Sequence, residues 1–372
     1  MKKFMASIAT LVCIVGLAFP QARRHRRVKQ TKPAKLLKAK KTAVATGSTV
    51  SLAFSFVTPD RDGGVWIGGT AWLDRGIMVN DGHGRVTAIT VPEVRDVSDL
   101  LFVTPDIGWM ADTRSIYRTL DRGNSWQRVE IPQEPEIRTV YFSDIQNGWA
   151  GGFKGEIYHT ADAGQTWHKQ ETGLDYNFHQ IFFVDSLHGW AVGWTNLTAP
   201  AQKQALIRTN DGGESWEIIS NVDANSRLVV RPIFFVNVNE GWAIDNWNNI
   251  VHTTNGGKIW TIQSPSDGNS LNSLFFINDR EGWASGDGIL HTSDGGETWD
   301  YQRIRKQGEN YLDEITFTDR KHGWAIGTLG ALRTSDGGET WLPMPDDWKA
   351  MIPSFQELLK ENSRKDVSKR QR

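Results

Sequence analysis

The sequence has a single cysteine, Cys13, in 372 residues. It lies inside an apolar N-terminal stretch, so a chain cut after that stretch keeps no thiol and forms no disulfide. No cysteine or histidine spacing supplies a zinc site, and neither metal nor cofactor is expected. A long apolar run is also missing, because the stretch from Phe4 to Phe19 is short for a membrane span.

Net charge is nearly absent, at -1, but the balance hides an asymmetry. Residues 1–41 carry twelve Lys or Arg and no acid, and residues 346–372 carry seven bases and five acids. That leaves 23 basic and 38 acidic residues for 42–345, a net charge near -15. A body this acidic repels a phosphate backbone, which excludes nucleic acid as a partner of the central region.

The N-terminus divides into two parts. Residues 1–22, with Lys2 and Lys3 ahead of the apolar stretch and small residues at Ala18 and Ala22, read as a secretory signal. Export is therefore expected, to a periplasmic, lumenal or extracellular site, with the segment either cleaved or retained as an anchor. Arg23, Arg24, Arg26 and Arg27 follow directly and oppose translocation. Residues 23–48, rich in Lys, Arg, Ala and Thr, read as a basic disordered linker. Such an arm is either a solvated tether or a peripheral contact with an anionic membrane.

What is abundant is tryptophan, at 17, and glycine, at 36, the composition of a small motif used many times. One pattern is Gly-Trp-Ala or a variant, at Trp109, Trp149, Trp190, Trp242, Trp283 and Trp324. The other is Thr-x-Asp-x-Gly-x-Thr-Trp, an Asp box ending at Trp126, Trp167, Trp216, Trp260, Trp299 and Trp341. They alternate with a period that fits four short strands. A worn front copy runs from Phe54 through Gly64-Val65-Trp66 to Asn80-Asp81-Gly82. The expectation is an all-β, seven-bladed β-propeller of four-stranded blades over residues 49–345. In the last unit the strands are placed at Glu314–Phe317, Gly323–Ile326, Ala331–Thr334 and Trp341–Met344.

In the Asp box, glycine tolerates positive φ at a tight hairpin and the carboxylate accepts backbone N–H groups. Asp121, Asp162, Asp211, Asp294 and Asp336 are accordingly structural. The fifth unit has Asn255 for Asp and Ile259 for Thr, a replacement that a carboxylate needed for chemistry does not tolerate. His188 and His322 precede Gly-Trp at equivalent positions and read as turn packing.

These boxes match the bacterial neuraminidase repeat. Gly-Trp plus Asp-box units behind a signal segment resemble, over about residues 50–345, the photosystem II stability and assembly factor family. The resemblance implies an exported propeller that binds an assembly intermediate of a membrane complex through an arginine-rich surface, without catalysis. The acidic body departs from that pattern, and no such surface maps residue by residue. Sialidases share the repeats and need three arginines, a tyrosine assisted by glutamate and an aspartic acid. Here only Arg231-Pro232 approaches their first arginine segment, in reversed order. Tyr117 and Tyr158 sit at equivalent packing positions, and Tyr176 and Tyr311 fall in loops. A non-catalytic interaction scaffold is expected, with a secreted glycan-binding or sialidase-like glycoside hydrolase propeller as the alternative.

Four tryptophans fall outside the repeats: Trp72, Trp194, Trp247 and Trp348. The first three occupy the loop between the second and third strands of their units, on the face opposite the Asp boxes. Exposed there, they anchor a protein partner or a glycan; folded inward, they pack locally. The longest such loop, Gly193 to Ala205, contributes Trp194, Asn196 and Lys203 as candidate contacts. Residues 346–372 carry Trp348, Met351, Ile352, Phe355, Leu358 and Leu359 at helical spacing and read as an amphipathic helix with a basic tail.

Overall fold

The computed structural model describes residues 36–38, 40–42, 56–59, 65–68, 77–80, 86–91, 94 and 97–343, except 113, 134, 196–202, 224–228, 265–267, 303, 305–310 and 328–329. No helix occurs among the described residues, and none is long and apolar enough to cross a membrane. The segments expected as signal and C-terminal helix lie outside them.

Two short strands come first, β1 (Leu36–Lys38) and β2 (Lys40–Thr42). Seven sheets of four consecutive strands follow. The first holds β3 (Phe56–Pro59), β4 (Val65–Gly68), β5 (Ile77–Asn80) and β6 (Val86–Thr90). The second holds β7 (Val97–Phe102), β8 (Gly108–Asp112), β9 (Ser115–Thr119) and β10 (Ser125–Val129). The third holds β11 (Ile137–Phe142), β12 (Gly148–Gly152), β13 (Ile157–Thr160) and β14 (His168–Gln170). The fourth holds β15 (Asn177–Phe183), β16 (Gly189–Trp194), β17 (Lys203–Thr209) and β18 (Glu217–Asp223). The fifth holds β19 (Val229–Phe235), β20 (Gly241–Asp245), β21 (Ile250–Thr253) and β22 (Thr261–Ser264). The sixth holds β23 (Leu271–Phe276), β24 (Gly282–Gly286), β25 (Ile289–Thr292) and β26 (Asp300–Tyr301). The seventh holds β27 (Leu312–Phe317), β28 (Gly323–Gly327), β29 (Gly330–Thr334) and β30 (Leu342–Pro343).

Every sheet is an antiparallel meander. The opening strand of each packs on the opening strand of the next, and β27 packs on β3. This is a β-propeller with four-stranded blades. The last unit's strands begin or end within two residues of the sequence placement.

The repeats explain how the sheets pack. In the fourth sheet Phe183 is stacked 3.5 Å from Trp149 of the third and meets its own Asp-box Trp216 edge-on at 86°. The same sandwich recurs at Phe142, Phe235, Phe276 and Phe317. Parallel and T-shaped contacts on one ring suit the aromatic quadrupole and add to the burial of each indole. Glycine before each Gly-Trp tryptophan makes the sandwich fit, because a Cβ on Gly189 would come within 2.4 Å of the Phe183 ring atoms. The indole N–H then bonds across the interface: Trp149 Nε1 donates to Gly212 O (2.8 Å) and Trp190 Nε1 to Gly256 O (3.0 Å). The Gly-Trp tryptophans of the third to sixth sheets thus each tie their sheet to the next Asp box, whereas Trp109 Nε1 of the second has no hydrogen-bond partner among the described residues.

The segment read as a disordered linker is ordered in part. Leu36–Lys38 pairs antiparallel with Ser125–Gln127 of β10, and Lys40–Thr42 with Ala88–Thr90 of β6. Backbone pairing with two exposed outer edges satisfies N–H and C=O groups that composition alone assigns to water.

Candidate partner-binding face

The turns separate into two faces. On one, each Asp-box turn bonds the first hairpin turn of its own sheet, as in Gly212 N–H to Leu187 O (2.8 Å) and Gly295 N–H to Arg280 O (2.8 Å). That hairpin turn is itself an Asx turn: Asp185 Oδ1 accepts from the N–H groups of Leu187 and His188, both at 2.8 Å. His188 and His322 also place Nδ1 on Asp185 and Asp319 (2.9 and 2.8 Å), so they do belong to turn packing.

The Asp box works as a cap. In the sixth sheet Asp294 Oδ1 accepts from Thr298 N–H (2.9 Å) and the Thr292 hydroxyl (2.8 Å), while Oδ2 accepts from the Thr298 hydroxyl (2.6 Å). Asp121, Asp162, Asp211 and Asp336 repeat this set. Gly212 and Gly213 take φ of 75° and 94°, which only glycine adopts freely. The Thr298 hydroxyl and N–H hold the Asp294 pKa down at about 2, and Thr340 does the same for Asp336. All five carboxylates are consumed by their own turns.

The opposite face joins the loops between second and third strands to those between sheets, for example Gly155 N–H to Tyr176 O (2.6 Å) and Asp287 N–H to Ser270 O (2.9 Å). Here the structure adds residues that sequence reasoning missed. Five of the seven opening strands carry a one-residue bulge near their start, at 97/99, 137/139, 178/180, 271/273 and 312/314. The residues left over are Ser98, Arg138, His179, Asn272 and Asp313. The legible signal is two consecutive polar residues between apolar ones, as in Phe178-His179-Gln180-Ile181, which breaks strand alternation.

In three of the pairs the second residue, Asp99, Gln180 or Ser273, bonds the backbone of the next sheet. Gln180 takes both the N–H (2.9 Å) and the O (3.1 Å) of Ile233, and Asp99 Oδ2 accepts from Val140 N–H (3.0 Å) and the Thr139 hydroxyl (3.1 Å). Burial raises the Asp99 pKa to about 6 against those bonds.

The first residue reaches sideways. Arg138 is exposed, brings Nη1 to 3.1 Å from His179 Nδ1, and lies 4.7 Å over the Phe153 ring. His179 stacks 3.6 Å from Trp194. Phe153, Arg138, His179 and Trp194 therefore form one run across the third and fourth sheets, half-buried except at the arginine. Trp194 is part of this run, neither isolated on the surface nor lost in the core.

Trp247 is 46% exposed, on a turn held by Asp245: Oδ1 accepts from Trp247 N–H (2.8 Å) and Oδ2 from Asn249 Nδ2 (2.8 Å). Lys203 is exposed and closes its loop on Thr195: its carbonyl accepts from Thr195 N–H (2.9 Å) and its N–H donates to the Thr195 hydroxyl (3.1 Å). Trp72 and Asn196 lie outside the described residues. Tyr117, Tyr141 and Tyr158 are sequestered from this face, each with burial driving its phenol pKa to about 12. Tyr176, placed in a loop from sequence, is also buried, whereas Tyr311 is exposed. Among the described residues no group of His, Cys, Asp and Glu is placed to hold a metal ion.

Residues 167–266 match the family model described as photosynthesis system II assembly factor YCF48. They span the fourth and fifth sheets, with Trp194, Asn196, Lys203 and Trp247 inside them. No curated protein matches the sequence. Among solved structures, YCF48 bound to D1 peptide is similar at TM-score 0.62 and 19% identity, covering 80% of this chain and 97% of that one. YCF48 from Cyanidioschyzon merolae aligns at TM-score 0.59 and 18% identity, covering 80% and 98%. An ancestral GH74 enzyme aligns at 0.53 and 16%, covering 66% of this chain and 38% of that one. In its family match and in its propeller fold, the chain resembles the photosystem II assembly-factor family of Asp-box proteins.

Proposed function

We propose that the chain is a non-catalytic, exported interaction scaffold that binds a polypeptide segment of a membrane complex on the face opposite its Asp boxes. All seven sheets are read as blades of one ring, with β3–β6 as the front blade. The observation that carries the reading is the run Phe153–Arg138–His179–Trp194, flanked by exposed Lys203 and Trp247. It lies on a rigid scaffold and in part within the matched segment.

Aromatic and arginine side chains presented together are what protein hot spots are made of. A neighbour of the same fold is solved with a D1 peptide bound, and the same class of ligand is proposed here. The basic N-terminal arm is proposed as a secondary contact with anionic lipid. A glycan ligand is the competing occupant of Trp194 and Trp247, since indole faces also stack on sugars. Pull-down from host membranes with the full chain tests the reading. Recovery of a membrane-complex subunit supports it, and recovery of glycan alone contradicts it.

A further inference from the structure

Where the second sheet passes to the third, the loop face holds a cavity of about 250 Å³. Arg114 and Ser115 from the hairpin between β8 and β9, Arg128 of β10 and Glu130 just after it line this space, with buried Val129 and Ile131. Two guanidiniums thus share one cavity in an otherwise acidic body. Neither ion-pairs with a carboxylate among the described residues, whereas Arg122 and Arg320 pair with Asp106 and Glu281.

Both arginines are positioned by neutral or backbone groups. Arg128 Nε donates to Ser115 Oγ at 2.9 Å. Arg114 N–H donates to Asp112 Oδ1 (2.8 Å), which shapes the hairpin and leaves the Arg114 side chain exposed. Asp112 is itself buried, also accepts from the Tyr117 hydroxyl (3.3 Å), and does not line the cavity. Glu130 is the single acid that does, so the lining is net positive. The basic arm meets the protein at this edge: Leu36 pairs with Gln127, the neighbour of Arg128, and residues 1–41 hold twelve bases and no acid.

We infer that this cavity receives the phosphate group of an anionic lipid, with the Arg114 and Arg128 guanidiniums donating to its oxygens. The planar donor fork of arginine matches phosphate geometry, and charge-assisted bonds of this kind are the strong ones. An acidic body is repelled by an anionic bilayer except along an edge where its bases are gathered, and β1 gathers them here. The site deepens the lipid contact proposed for the arm and rests on it. The arm supplies attraction at a distance, and the cavity supplies a fixed point that turns the loop face toward the bilayer.

The test is sedimentation of the full chain with vesicles of equimolar phosphatidylglycerol and phosphatidylcholine, beside vesicles of phosphatidylcholine alone. Wild type is expected on the anionic vesicles only. Arg114→Gln/Arg128→Gln is expected to bind them at least about tenfold more weakly, since each base near an anionic surface contributes about fivefold. Arg114→Gln alone removes a side chain with no bond to the described residues, so it is expected to keep the melting temperature and lose about fivefold. The charge-matched control Arg122→Gln/Lys169→Gln removes two ion-paired bases from elsewhere and should stay within about threefold of wild type. Equal binding by wild type and the Arg114 variants, or an equal loss in the control, overturns the cavity and leaves the arm's lipid contact. Calorimetry with inorganic phosphate distinguishes a free anion from a headgroup. Wild type that binds inorganic phosphate but no vesicle overturns the lipid assignment and the arm's contact together. Recovery of a membrane subunit in the pull-down is scored separately, so the polypeptide reading stands or falls on its own.

Discussion

Asn255 and Ile259 depart from the Asp-box pattern as a pair. In the other five described boxes one carboxylate oxygen caps backbone N–H and the second accepts a Ser or Thr hydroxyl four residues on. Asn255 Oδ1 still accepts from Ile259 N–H (2.8 Å) and the Thr253 hydroxyl (3.0 Å). Isoleucine has no hydroxyl to offer the second position, and asparagine has no second acceptor there. Asn255→Asp alone is expected to gain little, while Asn255→Asp with Ile259→Thr recovers the missing bond. A double-mutant cycle in urea should show about 1 kcal/mol of coupling, and simple additivity contradicts this.

The caps also predict acid behaviour. The folded pKa of Asp294 and Asp336, about 2, lies below the ordinary 3.8. Their contribution to stability is thus fully present above pH 3.8 and lost as pH falls toward 2. Urea midpoints measured between pH 5 and pH 2 should fall less steeply in Asp294→Asn/Asp336→Asn than in wild type, even though the variant starts lower.

Asp99 has the opposite sign. Its folded pKa of about 6 exceeds 3.8, so the native state holds the proton more tightly and stability declines as pH rises from about 4 to 6. Asp99→Asn keeps an acceptor for Val140 N–H and the Thr139 hydroxyl, and should flatten that decline. An unchanged slope would show that the carboxylate is ionised throughout.

Gly189 tests the aromatic sandwich. Gly189→Ala pushes a methyl into Phe183, stacked on Trp149, and is expected to cost about 1–3 kcal/mol in chemical denaturation. Gly173→Ala, at a position with nothing near its would-be Cβ, carries only the backbone strain of φ 69° and should cost less.

Much of the fold was legible because its signals are local. Gly-Trp, the apolar triplet and the Asp box each lie within one hairpin, and the structural role of Asp294 follows from residues four apart. The site was legible only in part. Trp194 and Trp247 stood out by falling outside the repeat, but Arg138 and His179 sit inside it, on bulges whose double-polar signature resembles ordinary strand variation. Their relation spans 41 residues and two sheets. The arm strands were hidden for a different reason: Leu36–Lys38 gains its partners from the unoccupied edge of β10, a property of the edge and not of the arm's composition.

The proposed activity is binding of a membrane-complex polypeptide on the loop face. Its most direct measurement compares capture of membrane subunits from detergent-solubilised host membranes by wild type, Arg138→Ala and Trp194→Ala/Trp247→Ala, all with matched melting temperatures. The account predicts a defined subunit with wild type and at least tenfold less with either variant. Equal capture by all three, or capture of glycan without protein, would contradict it.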